Sequence, residues 1–283
     1  MSLLRSVSDM HRLSTELRSG GKRIALVPTM GALHDGHLSL IRAAVAKSDV
    51  AITSVFVNPT QFGPNDDYDR YPRDLDHDCA LAFGAGSNVV FAPTVEEMYP
   101  DGPVATVDVG PLGEKLEGKS RPGHFNGVAT VVEKLFRITM PHVAFFGQKD
   151  AQQVAVIRFL VKSFDLDVEV IPMPIVREAD GLAQSSRNMF LTASERAEAP
   201  VLYRALRLAA EQLSNGAADP VGIRQEMKEM ISATSGVIDY ISLADAATLE
   251  EITEKQRGQD VLVSLAVRYG KTRLIDNCHV RIP

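Results

Sequence analysis

Along the first part of the chain, short and nearly unbroken apolar runs alternate with stretches whose apolar positions recur at spacings of three and four. The runs are Arg23 to Val27, Val50 to Val57, Asn88 to Ala92, His142 to Phe146 and Asp167 to Pro172. Runs so short, apolar and rich in β-branched residues predict strands covered on both faces, as in a parallel sheet. Leu38, Ile41 and Val45 mark a helix after the first run. Val128, Val131, Val132, Leu135 and Phe136 mark one before the fourth, and Val154, Ile157, Leu160 and Val161 one after it. At the N-terminus Leu3, Val7, Met10, Leu13 and Leu17 stand at helical spacing with charges between them, which predicts an amphipathic helix packed on the domain. Asp101 to Arg121 is rich in Gly and Pro and predicts an irregular excursion with one short strand near Val104 to Val109.

From about Arg177 the alternation stops. Thr192-Ala193-Ser194-Glu195 reads as a capping box for a long helix with Leu202, Leu206 and Ala209 or Ala210 on its core face. A Gly-Asp-Pro break follows, then a helix from about Pro220 to Ala233 and strand-like runs at Val237 to Ser242, Asp260 to Val267 and Thr272 to Cys278. Arg268-Tyr269-Gly270-Lys271 predicts a hairpin between the last two. The expected fold class is therefore α/β: a Rossmann-like parallel sheet flanked by helices over residues 1–176, with a smaller C-terminal α+β domain over 177–283 that serves as a lid.

Composition narrows the class without naming a chemistry. With 283 residues, 45% of them hydrophobic and 23% charged, the chain can bury a sizeable core. A formal net charge of −6 and a pI near 5.7 argue against a broad nucleic-acid-binding face, although a local cluster of donors can still hold a small anion. Cys79 and Cys278 are too few and too far apart for a disulfide framework or a C-x-x-C metal motif. The N-terminal segment lacks the apolar core of a signal peptide, and no run approaches the ~18 to 20 apolar residues of a membrane span, so a cytoplasmic protein without membrane contact is expected.

Candidate chemistry concentrates where the first strand turns into the first sheet helix, in PTMGALHDGH, Pro28 to His37. His34 and His37 stand three apart at the predicted helix start, beside backbone N–H groups and the positive end of the helix dipole, where phosphate binds well. Gly31 and Gly36 allow a close backbone approach or a conformation closed to other residues. Two lone histidines would more often be a satisfied helix-start pair, and a zinc site would need a third ligand that no usual spacing supplies. Asn58 and Gln61 follow the second strand, on the edge where ligands bind in open α/β sheets, although without the histidine motif a simple Asn-Pro turn is the preferred reading. Asn65 to Asp78 predicts a polar flap whose charges form a solvated face. His124 and Asn126 are either caps or substrate contacts. Gly147-Gln148-Lys149-Asp150 repeats the strand-turn-helix unit and places Lys149 as a compact cation at a second strand end. Ser185, Ser186 and Arg187 in a Gly-preceded loop supply donors suited to phosphate oxygens.

The H-x-G-H spacing at a strand-to-helix turn resembles the superfamily of nucleotidylyltransferases and class I aminoacyl-tRNA synthetases. The longer strings PTMGALHDGH, FVNPTQFG, YPRD, EGKSRPGHFNGVATVV, FFGQKDAQQ, VREADGLAQSSRN and RLIDN, in this order over roughly residues 24 to 278, resemble the pantothenate synthetase family. Gln148 stands where that family usually has glutamate, and Gln184 where methionine usually precedes the serines. Acidic residues are commoner at His77-Asp78, so no Mg²⁺ ligands are carried over.

That resemblance implies ATP-dependent condensation of pantoate with β-alanine through a pantoyl-adenylate, with release of AMP and pyrophosphate. By analogy His37, His34, Lys149 and Arg187 are catalytic. ATP would be bound by Met30, Gly31, His34, His37, Gly147, Lys149, Asp150, Val176, Gln184, Ser185, Ser186 and Arg187, with Mg²⁺ offsetting the same charge. Neutral amides read hydroxyls without adding charge, so Gln61 and Gln153, with Asn58 behind them, are the expected recognisers of pantoate and β-alanine. The family also implies a homodimer. A nucleotidylyltransferase joining a nucleotide to a phosphate, and a non-catalytic nucleotide-binding regulator, are the alternative classes.

Overall fold

In chain order the elements are β1 (Ser2–Leu4), α1 (Val7–Ser19), β2 (Ile24–Thr29), α2 (Asp35–Lys47), β3 (Val50–Val55), α3 (Leu75–Gly84), β4 (Val89–Phe91), α4 (Val95–Met98), α5 (Leu116–Ser120), α6 (His124–Thr139), β5 (Val143–Gly147), α7 (Ala151–Ser163) and β6 (Glu169–Met173), followed by α8 (Ala193–Glu198), α9 (Val201–Asn215), α10 (Pro220–Ser232), β7 (Val237–Asp245), β8 (Asp260–Tyr269) and β9 (Thr272–Arg281). The computed structural model describes all residues except Asn65, Asp67, 216–218 and Lys255. Two positions of the expected flap and the glycine of the expected Gly-Asp-Pro break thus lie outside the described residues.

The chain divides into two compact units. One comprises Met1–Gly147 with Val156–Met173, and the other Gln148–Ala155 with Pro174–Pro283. In the first, six parallel strands run in the order β1-β4-β3-β2-β5-β6. Order reverses between β2 and β5, so the carboxyl ends of those two strands flank the crevice in which open α/β sheets place their ligands. Ile24, Ala25, Leu26 and Val27 of β2 are wholly buried, as an apolar central strand requires. The second unit is α+β. Its antiparallel sheet β7-β8-β9 packs with α9 and α10 around Leu202, Leu206, Leu213, Ile223, Met227, Val263 and Leu265. Tyr269 pairs with Thr272 across the expected hairpin, and Gly270 takes the positive φ of 53° that the two-residue turn needs.

Four expectations are corrected. The N-terminal segment does not begin as helix: Ser2–Leu4 is an edge strand paired with Val89–Phe91, and the helix starts at Val7 after a Ser6 cap that accepts from the Asp9 N–H. No strand forms near Val104 to Val109, because Thr130 of α6 accepts from the N–H groups of Thr106 and Val107, and Asn126 accepts from that of Val109, in place of a neighbouring strand. The Thr192–Glu195 capping box is present, but it opens the short α8 only. Pro200 has no N–H to continue the ladder, and a second helix begins at Val201. Finally, Asp78 does not belong to a solvated face; it is 2% exposed.

Candidate active site

In the first unit, Thr29 ends β2 with its hydroxyl donating to the Ser54 carbonyl at 2.7 Å and accepting from the Gly31 N–H at 3.2 Å. The chain then turns through two residues of positive φ, Gly31 at 85° and Ala32 at 49°. A Cβ on Gly31 would lie 2.7 Å from Asp78 Oδ2, so glycine is required there both by conformation and by space. The Asp78 carboxylate, reaching across from α3, accepts from the N–H groups of Ala32 at 3.1 Å and Leu33 at 2.8 Å.

His34 is the N-cap of α2, and its Nδ1 accepts from the Gly36 N–H at 3.1 Å. His37, three residues on, accepts from the His34 N–H through its own Nδ1 at 3.4 Å, which completes a capping box made of two imidazoles. Their ring centroids are 4.2 Å apart. The missing Cβ of Gly36 makes this possible, since one would lie 2.8 Å from His34 Cε1. A backbone N–H can only donate, so each Nδ1 must be unprotonated and each neutral ring carries its proton on Nε2.

Thus most of the backbone N–H groups that the sequence suggested would be open to an anion are taken by the chain itself. Those of Gly31, Ala32, Leu33, His34 and Gly36 are all held by side chains of the chain itself. What the turn holds in place is a pair of imidazoles whose Nδ1 atoms face the backbone.

Gln61 follows β3 in a short helical turn whose N-cap is Asn58. Asn58 is 1% exposed and its amide orientation is unambiguous: Oδ1 accepts from the Thr60 N–H at 3.3 Å, and Nδ2 donates to the Gly127 carbonyl at 3.1 Å. Tyr99 adds a 2.8 Å hydroxyl contact to Oδ1. The same Nδ2 donates to Gln61 Oε1 at 3.2 Å, which turns the Gln61 NH₂ group the other way, beside the Met30 sulfur at 2.9 Å. Gln61 is thereby a donor on its remaining face.

The Gln61 carbonyl accepts from His124 Nδ1 at 2.8 Å, and Arg121 bonds the other ring nitrogen of His124 at 3.1 Å. Arg121 also pairs with Asp66 at 2.9 Å. Burial works against the charge of Asp66, but the Arg121 guanidinium and the Gly63 N–H outweigh it and hold the carboxyl below its usual range. The N-cap of α6 is Gly123, so His124 and Asn126 are not the caps; His124 bonds the Gln61 carbonyl and Asn126 the Val109 N–H. A cavity of about 290 Å³ opens beyond the strand ends, bordered by Met30, Val55, Phe56 and Asp78.

In the second unit, Gln148–Asp150 forms a helical turn leading into α7, with Lys149 half-buried and Asp150 exposed. Asn277 of β9 holds that turn by donating from Nδ2 to the carbonyls of Gln148 at 3.0 Å and Lys149 at 2.9 Å. Two residues along the same strand face, His279 Nε2 lies 2.6 Å from Gln148 Nε2, an arrangement an amide can make with a neutral imidazole. Val176 and Gln184 face each other across a narrow loop through a 2.9 Å backbone bond. Gly181 closes the loop with φ 92°, its Cα so near Tyr203 that a Cβ would come within 2.1 Å of the ring. Arg177 forks onto the buried Asp276 at 2.7 and 2.9 Å and stacks on Tyr203 with 4.1 Å to the ring centroid. Burial pushes the Asp276 carboxyl above its usual range, against the pull of Arg177, the Asn277 N–H and the Lys149 charge. Ser185 caps the next turn by accepting from the Arg187 N–H, while Ser186 and Arg187 stand exposed. Gln153 is half-buried on the first turns of α7.

Residues 2–279 match the model of the pantoate-β-alanine ligase family. The chain belongs to that family. Pantothenate synthetases of Acetivibrio thermocellus and Caldicellulosiruptor bescii are 51% and 52% identical to it, the first over the whole of both chains and the second over 98% of each. Among solved structures, the pantothenate synthetase of Thermus thermophilus superposes with a TM-score of 0.89 at 42% identity, covering 98% of this chain and 99% of that one. A pantoate-β-alanine ligase of Francisella tularensis, solved with β-γ ATP and β-alanine, gives a TM-score of 0.79 at 38% identity over 98% of this chain and 97% of its own.

Set against this ligase family, the sequence reading picked out the residues that carry recognisable chemistry and missed those that orient them. Tyr99, Arg121, Asp276 and Asn277 were not singled out, and Asp78 entered only as part of a solvated face and as a position given no Mg²⁺ ligand role. For Asp78 a signal existed, since it falls on the stripe Leu75, Asp78, Ala82 that α3 turns toward the core, where a carboxylate needs a partner. Among the described residues no group of three or more His, Cys, Asp or Glu side chains could hold a metal ion, and no helix is long and apolar enough to cross a membrane.

Proposed function

We propose that this pantoate-β-alanine ligase works in two steps through a pantoyl-adenylate, with His34, His37, Lys149 and Arg187 stabilising charge in the first. The overall reaction joins pantoate to β-alanine and gives pantothenate. In the first step a pantoate carboxylate oxygen attacks the α-phosphorus of ATP, the bond to the β-phosphate oxygen breaks, and pyrophosphate leaves with the electron pair. A carboxylate with a solution pKa near ~4 is already ionised at pH 7, so this step needs no base. It needs donors aimed at the migrating charge. In the second step the neutral amine of β-alanine attacks the acyl carbon, AMP departs with the former carboxylate oxygen, and the nitrogen gives up its extra proton to solvent.

One observation carries this reading: the two-imidazole capping box, which holds His34 and His37 as neutral Nε2–H donors at the start of α2, beyond the strand end where nucleotides bind in such sheets. Lys149, Ser185, Ser186 and Arg187 are proposed to neutralise the triphosphate, with Met30, Gly31, Gly147, Asp150, Val176 and Gln184 forming its backbone surroundings. Mg²⁺ enters on the triphosphate, whose oxygens and waters suit its octahedral preference, as part of the substrate. Gln61 donates to a pantoate oxygen, Asn58 serves behind it as its orienter, and Gln153 is the second recogniser. A homodimer in the cytoplasm completes the proposal.

The decisive test is a rapid quench with stoichiometric enzyme, ATP and pantoate but no β-alanine. A burst of pyrophosphate is expected, and ¹⁸O from the pantoate carboxylate should appear in AMP once β-alanine is added. No burst without β-alanine, or unlabelled AMP, would overturn the adenylate route.

A further inference from the structure

We propose that Asp78 is the positioning residue of the histidine turn: an internal anion that occupies the turn's backbone donors and leaves the triphosphate to the imidazoles. The inference rests on the adenylate reading above and goes beyond it to a residue outside the reacting groups. Consecutive residues of positive φ, Gly31 at 85° and Ala32 at 49°, make a concave turn of the kind that gathers successive N–H groups around an anion. Left open beside a nucleotide site, such a nest would compete for phosphate. Here it is already filled, since Oδ2 and Oδ1 of Asp78 accept from Ala32 and Leu33 at 3.1 and 2.8 Å, with the carboxylate packed over the bare Cα of Gly31 and 2% exposed.

Two consequences follow for the residues beyond the turn. Ala32, not glycine, sits at a positive φ that strains an L side chain, and charge-assisted bonds to Asp78 hold it there. Leu33, whose N–H Asp78 also grips, directly precedes the cap His34, so the register of both imidazoles depends on the same carboxylate. Asp78 is itself anchored in α3, whose N-cap Asp74 accepts from the His77 N–H at 3.1 Å. A fixed negative charge beneath a triphosphate site does not help to bind ATP; it helps to aim the donors that act on it.

This predicts an unusual separation of kinetic effects. Asp78→Asn keeps the shape and one acceptor but sets an NH₂ group against the Ala32 N–H. Its kcat for pyrophosphate release should fall at least ~10-fold, short of the ~100-fold or more that outright removal of a charge-stabilising donor costs. KM for ATP should stay within twofold of wild type or fall, because a buried negative charge has been removed. A second variant, Asp78→Asn with Ala32→Gly, relieves the backbone strain and keeps the test open if the single variant folds poorly. Its melting temperature should return toward wild type while kcat stays low. The inference is overturned if kcat is unchanged in folded Asp78→Asn enzyme, if KM for ATP rises in step with the loss, or if the rate recovers together with the melting temperature in the double variant. Wild-type enzyme run in parallel separates this outcome from failure of the adenylate reading, in which case wild type itself would show no pantoate-dependent pyrophosphate.

Discussion

Asn58 shows how one buried amide fixes the orientation of another. A donor-only partner, the Thr60 N–H, and an acceptor-only partner, the Gly127 carbonyl, fix its amide, and the amide in turn fixes that of Gln61. If Gln61 reads a pantoate oxygen as a donor, Gln61→Glu should keep the Asn58 bond but present an oxygen in place of the N–H. The KM for pantoate should rise at least ~10-fold, the scale of leaving a polar group unpaired in a closed pocket, with KM for ATP changed less than twofold. Steady-state kinetics in each substrate checks this, and parallel increases would remove Gln61 from pantoate recognition. At this scale the sequence was legible for groups with obvious chemistry, such as His34, His37 and Lys149. It placed Asn58 behind Gln61 but gave no hydrogen bond between them, and it gave no bonding role to Asp78 or Asn277, because each acts through a partner 3 to 128 positions away.

At the scale of elements, α6 does more than cover the sheet. Its Thr130 and Asn126 side chains replace a strand partner for Thr106 to Val109, and its first turns seat the Asn58–Gln61 segment. The contact is closed by Gly127, where a Cβ would come within 2.1 Å of the Thr60 carbonyl oxygen. Gly127→Ala should therefore push the two elements apart and cost about 1–3 kcal/mol of stability, the usual range for overpacking. Chemical denaturation should show the lower midpoint, and pantoate affinity should fall with it. An alanine variant with wild-type midpoint would mean that the elements yield freely. The predicted strand near Val104 to Val109 failed here for a stated reason: its alternating Val107 and Val109 are buried, as strand patterning requires, yet side chains of a helix satisfy its backbone.

At the scale of the whole molecule, a net charge of −6 must coexist with a triphosphate and a carboxylate as substrates. The resolution lies in local donors rather than in the overall balance. Saturating Mg-ATP together with pantoate should raise the melting temperature beyond the sum of their separate shifts, because the retained adenylate joins both sets of contacts in one ligand. At 100 times Kd a single ligand contributes about 2.7 kcal/mol, enough for a clear calorimetric shift. Strictly additive shifts would argue that no joined intermediate is held.

The sequence by itself determined the parallel sheet, the second α+β unit and the family, because burial on both faces forces unbroken apolar runs and because long ordered motifs survive at about half identity. It also located the histidines at the start of a helix. Only the tertiary structure decided that their imidazoles cap that helix, that Asp78 and not a ligand fills the neighbouring backbone donors of Ala32 and Leu33, and that Gln61 accepts from Asn58 and turns its amide N–H toward Met30. The physical reason is common to all three. Periodicity records whether a side chain is buried, whereas the direction of a hydrogen bond depends on which distant partner the fold brings to it.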